Sequence, residues 1–258
     1  MILTNGNVNR NSACCLILIL LIWLPVCTQA ADQPPQPVEP AAEQVLLWQG
    51  SVELGLMMLT GNASTQVHYS SGRVIHDHPV WRTIAMAFAN VTWVDQVKVM
   101  QYFSLFSKTD YKLEQSRYLY VSLEYENALY LGYRHRATGK IGYGREWVVK
   151  DKREIYAEAG LGSRQTHYND MQGRVGELLL DLSGRLKYSF NTQLRLEQTA
   201  AYEGGEKTSI YKSETALIQT MLKNFSLKTS IGLNYTTSVP ADVAHLDTES
   251  RVTLFYDF

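Results

Sequence analysis

Arg251-Val252-Thr253-Leu254-Phe255-Tyr256-Asp257-Phe258 decides how the rest of the chain is read. Val252, Leu254, Tyr256 and Phe258 share one face of an extended strand; Arg251, Thr253 and Asp257 share the other. Side chains alternate along a strand with a period of two, so a sheet that meets an apolar phase turns every second residue to it.

The same alternation recurs upstream. Val52, Leu54, Leu56 and Met58 oppose Ser51, Glu53 and Gly55, and Leu119, Val121, Leu123 and Tyr125 oppose Tyr120, Ser122 and Glu124. Leu178, Leu180, Leu182, Leu186, Tyr188 and Phe190 oppose Glu177, Asp181, Arg185 and Lys187. Phe225, Leu227, Ile231, Leu233 and Tyr235 oppose Lys228, Ser230 and Asn234. No stretch keeps a helical period for long. Segments of this kind predict about twelve strands, an even number that suits a barrel with both ends on one side. The expected fold is all-β, an antiparallel transmembrane β-barrel of about 12 strands.

Alternation would also build a soluble sandwich or lipocalin-like barrel with the apolar face inside. Three features favour lipid. The terminal aromatic, with apolar partners at every second position, resembles the assembly signal of outer-membrane proteins, which assigns that role to Val252, Leu254, Tyr256 and Phe258. Short connections at Asn191-Thr192 and Lys223-Asn224 alternate with longer ones at Tyr168 to Gly176, Glu203 to Thr208 and Thr236 to Asp247. Trp81 and Trp93 share a face and lie about 30 Å apart along the membrane normal, at roughly 3.3 Å per residue and a tilt of about 40°. That is close to the height of an apolar band between aromatic belts, to which Trp48 and Trp147 also belong. This register puts Ala85, Ala87 and Ala89 toward lipid and Ile84, Met86 and Phe88 opposite. The 16 tyrosines agree, since the phenol ring suits a boundary that is apolar on one side and wet on the other.

The start of the chain reads as an export signal. Arg10 is the positive region, Leu16 to Leu24 the apolar core, and Thr28-Gln29-Ala30 the cleavage site. The apolar run is too short to cross a bilayer as a helix. Lipoprotein processing at Cys27 is the lesser alternative, because bulky Val26 stands where a small residue is wanted. Residues 1–30 are thus the expected signal peptide, 31–45 a periplasmic linker carrying Pro34, Pro35, Pro37 and Pro40, and 46–258 the barrel. All three cysteines, Cys14, Cys15 and Cys27, fall in the signal, so the mature chain has no thiol for a disulfide, a thiolate metal site or a nucleophile. A formal net charge of -1 argues against nucleic acid as a partner.

If the apolar face meets lipid, the other face lines a lumen. By parity the lumen-lining charges are Glu53, Glu124, Arg134, Arg136, Lys140, Glu158, Arg164, Glu177, Asp181, Arg185, Lys187, Arg195, Glu197, Glu214 and Lys228. Acids and bases nearly match. They can form a network that fills and stiffens the barrel, or line a path for small polar solutes. Inward Gly142, Gly144, Gly160 and Gly162 argue for open space, although strand glycines also mark the bends that closure needs.

Trp48-Gln49-Gly50-Ser51-Val52-Glu53-Leu54-Gly55, with Thr60-Gly61-Asn62, resembles the opening signature of the salt-induced outer-membrane protein family, domain of unknown function 481. Gly142-Tyr143-Gly144, Ala159-Gly160-Leu161-Gly162, Ser213-Glu214-Thr215-Ala216-Leu217 and Leu254-Phe255-Tyr256-Asp257-Phe258 extend the resemblance over nearly all of the chain from Trp48 onward. It implies an outer-membrane barrel, a link to salt or osmotic stress through the family's name, and no established activity.

No catalytic residue, cofactor or metal ligand set is expected. An envelope enzyme acting on lipid or peptidoglycan would need a nucleophile beside a histidine, yet no Gly-x-Ser-x-Gly elbow occurs and His68, read as inward, has no such neighbour. His135 lies between Arg134 and Arg136, and His167 and His245 fall in connections. His76-Asp77-His78 could hold two metal ligands on one face, but Pro79 beside it marks a solvated turn. The remaining expectations are a bacterial outer-membrane location, surrounding lipid, and the barrel-assembly machinery as partner. A soluble periplasmic β-domain is the reading that fractionation would separate.

Overall fold

A computed structural model describes residues 47–59, 64–114, 116–128, 132–149, 152–168, 173–239 and 244–258. The expected export signal and linker, and Thr60-Gly61-Asn62, lie outside the described residues.

Each alternating run forms a strand. In order these are β1 (Leu47–Leu59), β2 (Thr65–Asp77), β3 (Trp81–Val94), β4 (Val97–Glu114), β5 (Arg117–Ala128), β6 (Tyr133–Val149), β7 (Arg153–Tyr168), β8 (Arg174–Ser189), β9 (Leu194–Gly205), β10 (Ser209–Leu222), β11 (Phe225–Thr236) and β12 (Leu246–Asp257). Each pairs antiparallel with its neighbours in sequence, and β1 pairs with β12, so the sheet closes into a 12-stranded barrel. Closure satisfies the backbone groups that an open sheet would leave at its edges. The start of β1 and the end of β12 lie at one rim, called here the near rim; the opposite rim is the far one.

Parity separates the two faces. Leu180 and Leu233 are 47 % and 45 % exposed on the outer wall, whereas Glu53 and Asp181 are 4 % and 3 % exposed inside. An exterior carrying rows of exposed Leu, Val and Ile would aggregate in water and is at home in hydrocarbon. In β3 the outward positions are indeed alanines, Ala85 and Ala87 among them, and Ile84, Met86 and Phe88 line the interior with Phe106 of β4.

The far-rim connections are shorter than the sequence suggests. The β7–β8 ladder runs out to His167 and Arg174, and the Tyr168 N–H donates to the Gly173 carbonyl at 3.2 Å. Gly205 N–H likewise donates to Thr208 O at 3.2 Å, leaving only residues 206–208 between β9 and β10. Asp95 and Gln96 join β3 to β4 with φ of 49° and 67°, the left-handed pair that matches strand twist in a two-residue hairpin. Neither the Tyr168 to Gly176 stretch nor Glu203 to Thr208 is therefore an extended loop, because backbone pairing continues almost to the reversal. The β11–β12 connection, between Thr236 and Leu246, is the longer one. At the near rim the Asn191 side chain accepts the N–H groups of Gln193 and Leu194, both at 2.8 Å, and fixes a tight turn.

The β1–β12 seam is the shortest ladder. Its register runs from Ser51–Asp257 to Leu54–Leu254, extended at the near rim by reciprocal bonds between Gly50 and Phe258 at 2.8 and 2.9 Å. The β1–β2 ladder, by comparison, runs the full length of both strands.

Candidate functional site: the charged lumen

The interior is built from tyrosines and the glycines that make room for them. A β-carbon at Gly142 would lie 2.7 Å from the Tyr120 ring, and one at Gly144 would lie 2.3 Å from the Tyr118 ring. At Gly160 it would meet the Tyr120 hydroxyl at 2.5 Å, and at Gly162 the Gly139 carbonyl at 2.6 Å. The expectation that these glycines leave open space is overturned: aromatic rings and neighbouring backbone occupy it.

The seated rings carry the first charge cluster. Tyr118 donates to Glu158 at 2.6 Å and Tyr120 to Asp181 at 2.9 Å. Lys108 bonds Glu158, reaches Asp110 at 3.2 Å, and lies 5.0 Å from the centres of both rings. Arg82 joins Asp110 at 2.8 Å and Glu146 at 3.5 Å. At the near rim Lys112 bonds Asp77 at 2.5 Å and Lys187 bonds Glu154 at 3.2 Å.

A second cluster fills the far half between β5 and β10. Arg164, 1 % exposed, bonds Glu177 at 2.9 Å and Glu203 at 3.2 Å, and also donates to the Thr208 carbonyl. Lys140 bridges Asp181 at 2.9 Å and Glu203 at 2.5 Å. Glu177 also accepts the N–H groups of Lys207 and Thr208 at 3.0 and 3.1 Å, which ties the network to the β9–β10 turn. Arg136 joins Glu126 at 3.5 Å, and Lys212 lies 4.0 Å from both Glu124 and Glu126. A third cluster lies inside the seam: Lys228 bridges Glu53 at 3.3 Å and Glu214 at 3.0 Å, with Arg251 3.6 Å from Glu214.

Most charges selected by parity meet here, and three behave differently, one of them Arg185, which lines the cavity with no carboxylate of the described residues within 4.0 Å. Arg134 sits at the register shift between Tyr133 and His135 and is exposed with no described ion pair, because the bulge breaks the parity that would turn it inward. Arg195 pairs with Glu197 on its own strand at 3.1 Å instead of reaching across the barrel. Sequence reasoning missed Arg73, Arg82, Lys108, Asp110, Glu126, Glu203 and Lys212. Their inward parity was readable once each strand's register was set.

Beside these clusters a cavity of about 1470 Å³ runs along the lumen. Its lining takes in Asp77 and Glu154 at the near rim, Lys108 and Ser122 at mid-height, and Asn234 and Asp247 at the far rim.

The expected belt residues lie at the strand ends. Trp48 stacks on His76 at 4.4 Å and Trp81 meets Tyr111 at 4.7 Å with the rings tilted; Trp147 is also exposed at this rim. Around the far rim Trp93 meets His68 edge-on at 5.1 Å, and Tyr125 stacks on His135 at 5.9 Å. His68 therefore points outward, contrary to the inward placement read from the sequence, since Tyr69 beside it takes the buried position. With His76 stacked on Trp48 and Asp77 held by Lys112, the His76-Asp77-His78 segment serves the rim.

The fold is shared with bacterial outer-membrane barrels. An outer membrane channel from Pseudomonas putida F1 superposes with a TM-score of 0.51 at 10 % identity, over 86 % of this chain and 100 % of that one. The translocator domain of the autotransporter NalP from Neisseria meningitidis gives a TM-score of 0.46 at 12 % identity, over 82 % and 87 % of the two chains. The uncharacterized protein YdiY of Escherichia coli strain K12 is 28 % identical over 151 residues, 58 % of this chain and 57 % of that relative's length. A family model described as protein of unknown function, DUF481, matches residues 52–258, and the chain belongs to that family.

Proposed function

We propose that this protein is a monomeric barrel of the bacterial outer membrane that acts as a narrow, weakly selective pore for small polar solutes. The observation that carries the reading is the cavity of about 1470 Å³, lined by residues from both rims. Paired charges of both signs along it favour polar solutes while giving little preference for either sign. The apolar outer wall supports surrounding lipid, with Trp48, Trp81 and Trp147 in one interfacial belt and Trp93 in the other. The near rim faces the periplasm in this reading, with residues 1–30 removed on export and 31–45 as a linker. Val252, Leu254, Tyr256 and Phe258 are the strip offered to the barrel-assembly machinery. Purified protein in a planar bilayer is expected to give discrete single-channel steps; a silent bilayer would reject the pore.

The second reading is a structural envelope component. The Arg164, Glu177, Glu203 and Lys140 cluster favours it, because buried ion pairs bridging β6 to β9 stiffen the wall whether or not anything passes. A deletion strain with weakened envelope integrity, together with a silent bilayer, would select it. Higher expression in high-salt medium is the outcome expected from the family's name.

A further inference from the structure

Arg82, Lys108, Lys112, Arg136, Lys140, Arg164, Lys187, Arg195, Lys212, Lys228 and Arg251 each have a carboxylate within 4.0 Å. Two inward cations among the described residues do not: Arg73 on β2 and Arg185 on β8. Both line the cavity. Arg73 Nε is buried without a hydrogen-bond partner, and the Arg185 guanidinium lies 5.8 Å from the centre of the Tyr156 ring.

Topology makes these two a pair. β2 and β8 are six places apart in a closed ring of twelve strands, so they form opposite walls. Arg73 is four residues from Asp77, the near-rim end of β2, and Arg185 four from Ser189, the near-rim end of β8. They therefore sit at matching depth and face each other across the lumen. Arg185 and Arg82 act on Arg73 as like charges; Glu197 opposes them but is bonded by Arg195 at 3.1 Å. Asp257 and Lys187 also belong to this region of charge. Glu154 and Glu158 act on Arg185 as opposite charges but are bonded by Lys187 and Lys108. Two half-buried cations still face one another, a costly arrangement that an anion entering between them relieves.

The surroundings of Arg73 narrow the anion. Its cross-strand partner is Met86, and the flanking register pairs are Ile75 with Ile84 and Ser71 with Phe88. Ile75, Ile84, Met86 and Phe88 all line the cavity beside it. Guanidinium forks bind a carboxylate through two parallel N–H donors, and an adjoining apolar bed accepts the rest of the molecule.

We propose that Arg73 and Arg185 clamp an organic carboxylate whose apolar body rests on Ile84 and Met86. This goes beyond the pore reading and stands whether or not the lumen conducts, because binding is measured on folded protein in detergent.

The test is calorimetric titration of the full folded chain with benzoate, acetate and inorganic phosphate. Folding of every variant is first checked by heat-modifiable gel mobility. The double variant R73Q/R185Q supplies the baseline for partition into micelles. Benzoate is expected to bind, with R73Q or R185Q each weakening it at least tenfold and K112Q changing it less than threefold. The two single variants act from opposite walls, so either one that folds decides the matter. No binding above baseline, or unchanged affinity in a folded R73Q or R185Q, would overturn the clamp. Acetate bound as tightly as benzoate would overturn the apolar bed, and phosphate bound more tightly would overturn the organic carboxylate.

Discussion

At the scale of single residues, the lumen depends on absent side chains as much as on present ones. Gly144 permits the Tyr118 ring to lie against the backbone, which puts its hydroxyl on Glu158. Gly144→Val is expected to destabilise the barrel by about 1–3 kcal/mol through overpacking, and Tyr118→Ala in the same chain should recover part of the loss. Urea unfolding in detergent measures both. Arg164 is the converse case, a cation whose removal leaves buried Glu177 without its ion-pair partner and Glu203 with Lys140 alone. Arg164→Met should cost about 3–5 kcal/mol by the same measurement. These seats and pairings were not legible in the sequence. Lys108 on β4 meets Glu158 on β7 and Glu53 on β1 meets Lys228 on β11, strands that are not hydrogen-bonded neighbours, and no local pattern reports which inward acid will face which inward base.

Strands carry their information locally, which is why so much of the architecture could be read at that scale. A period of two states which residues share a face, and Leu178 to Leu186 or Phe225 to Tyr235 need no partner to state it. β3 is the instructive case, because its outward face holds alanines while larger apolar side chains point inward. Hydrophobicity alone would reverse it, and the two tryptophans at its ends set the right register. Where backbone irregularity enters, parity fails: the shift at Tyr133 and His135 moves Arg134 out of the lumen. Turn lengths were harder still, since polar residues before a reversal can belong to strand or loop alike. The solvent assignment of a strand face is directly testable at Leu180, near the middle of β8. Leu180→Arg should cost about 2–4 kcal/mol in a bilayer, while Ser183→Lys on the inner face should cost much less. Folding equilibria in vesicles compare the two.

For the molecule as a whole, closure depends on a single ladder that joins the two ends of the strand order. Gly50 is part of it: a β-carbon there would lie 2.2 Å from the Phe258 ring. Gly50→Val is therefore expected to push that ring away and lower the yield of closed barrel, read as loss of the fast-migrating band in unheated gels. Phe258→Ala in the same chain should restore the band if the steric clash is the cause. Above Leu54 and Leu254, β1 and β12 are tied by register to β2 and β11 rather than to each other. A cylinder stitched along most of its staves but only part of one will tear at that line. Pulled by its two termini in a force microscope, the protein should surrender β12 at the lowest load, and the remaining staves should then peel away one hairpin at a time.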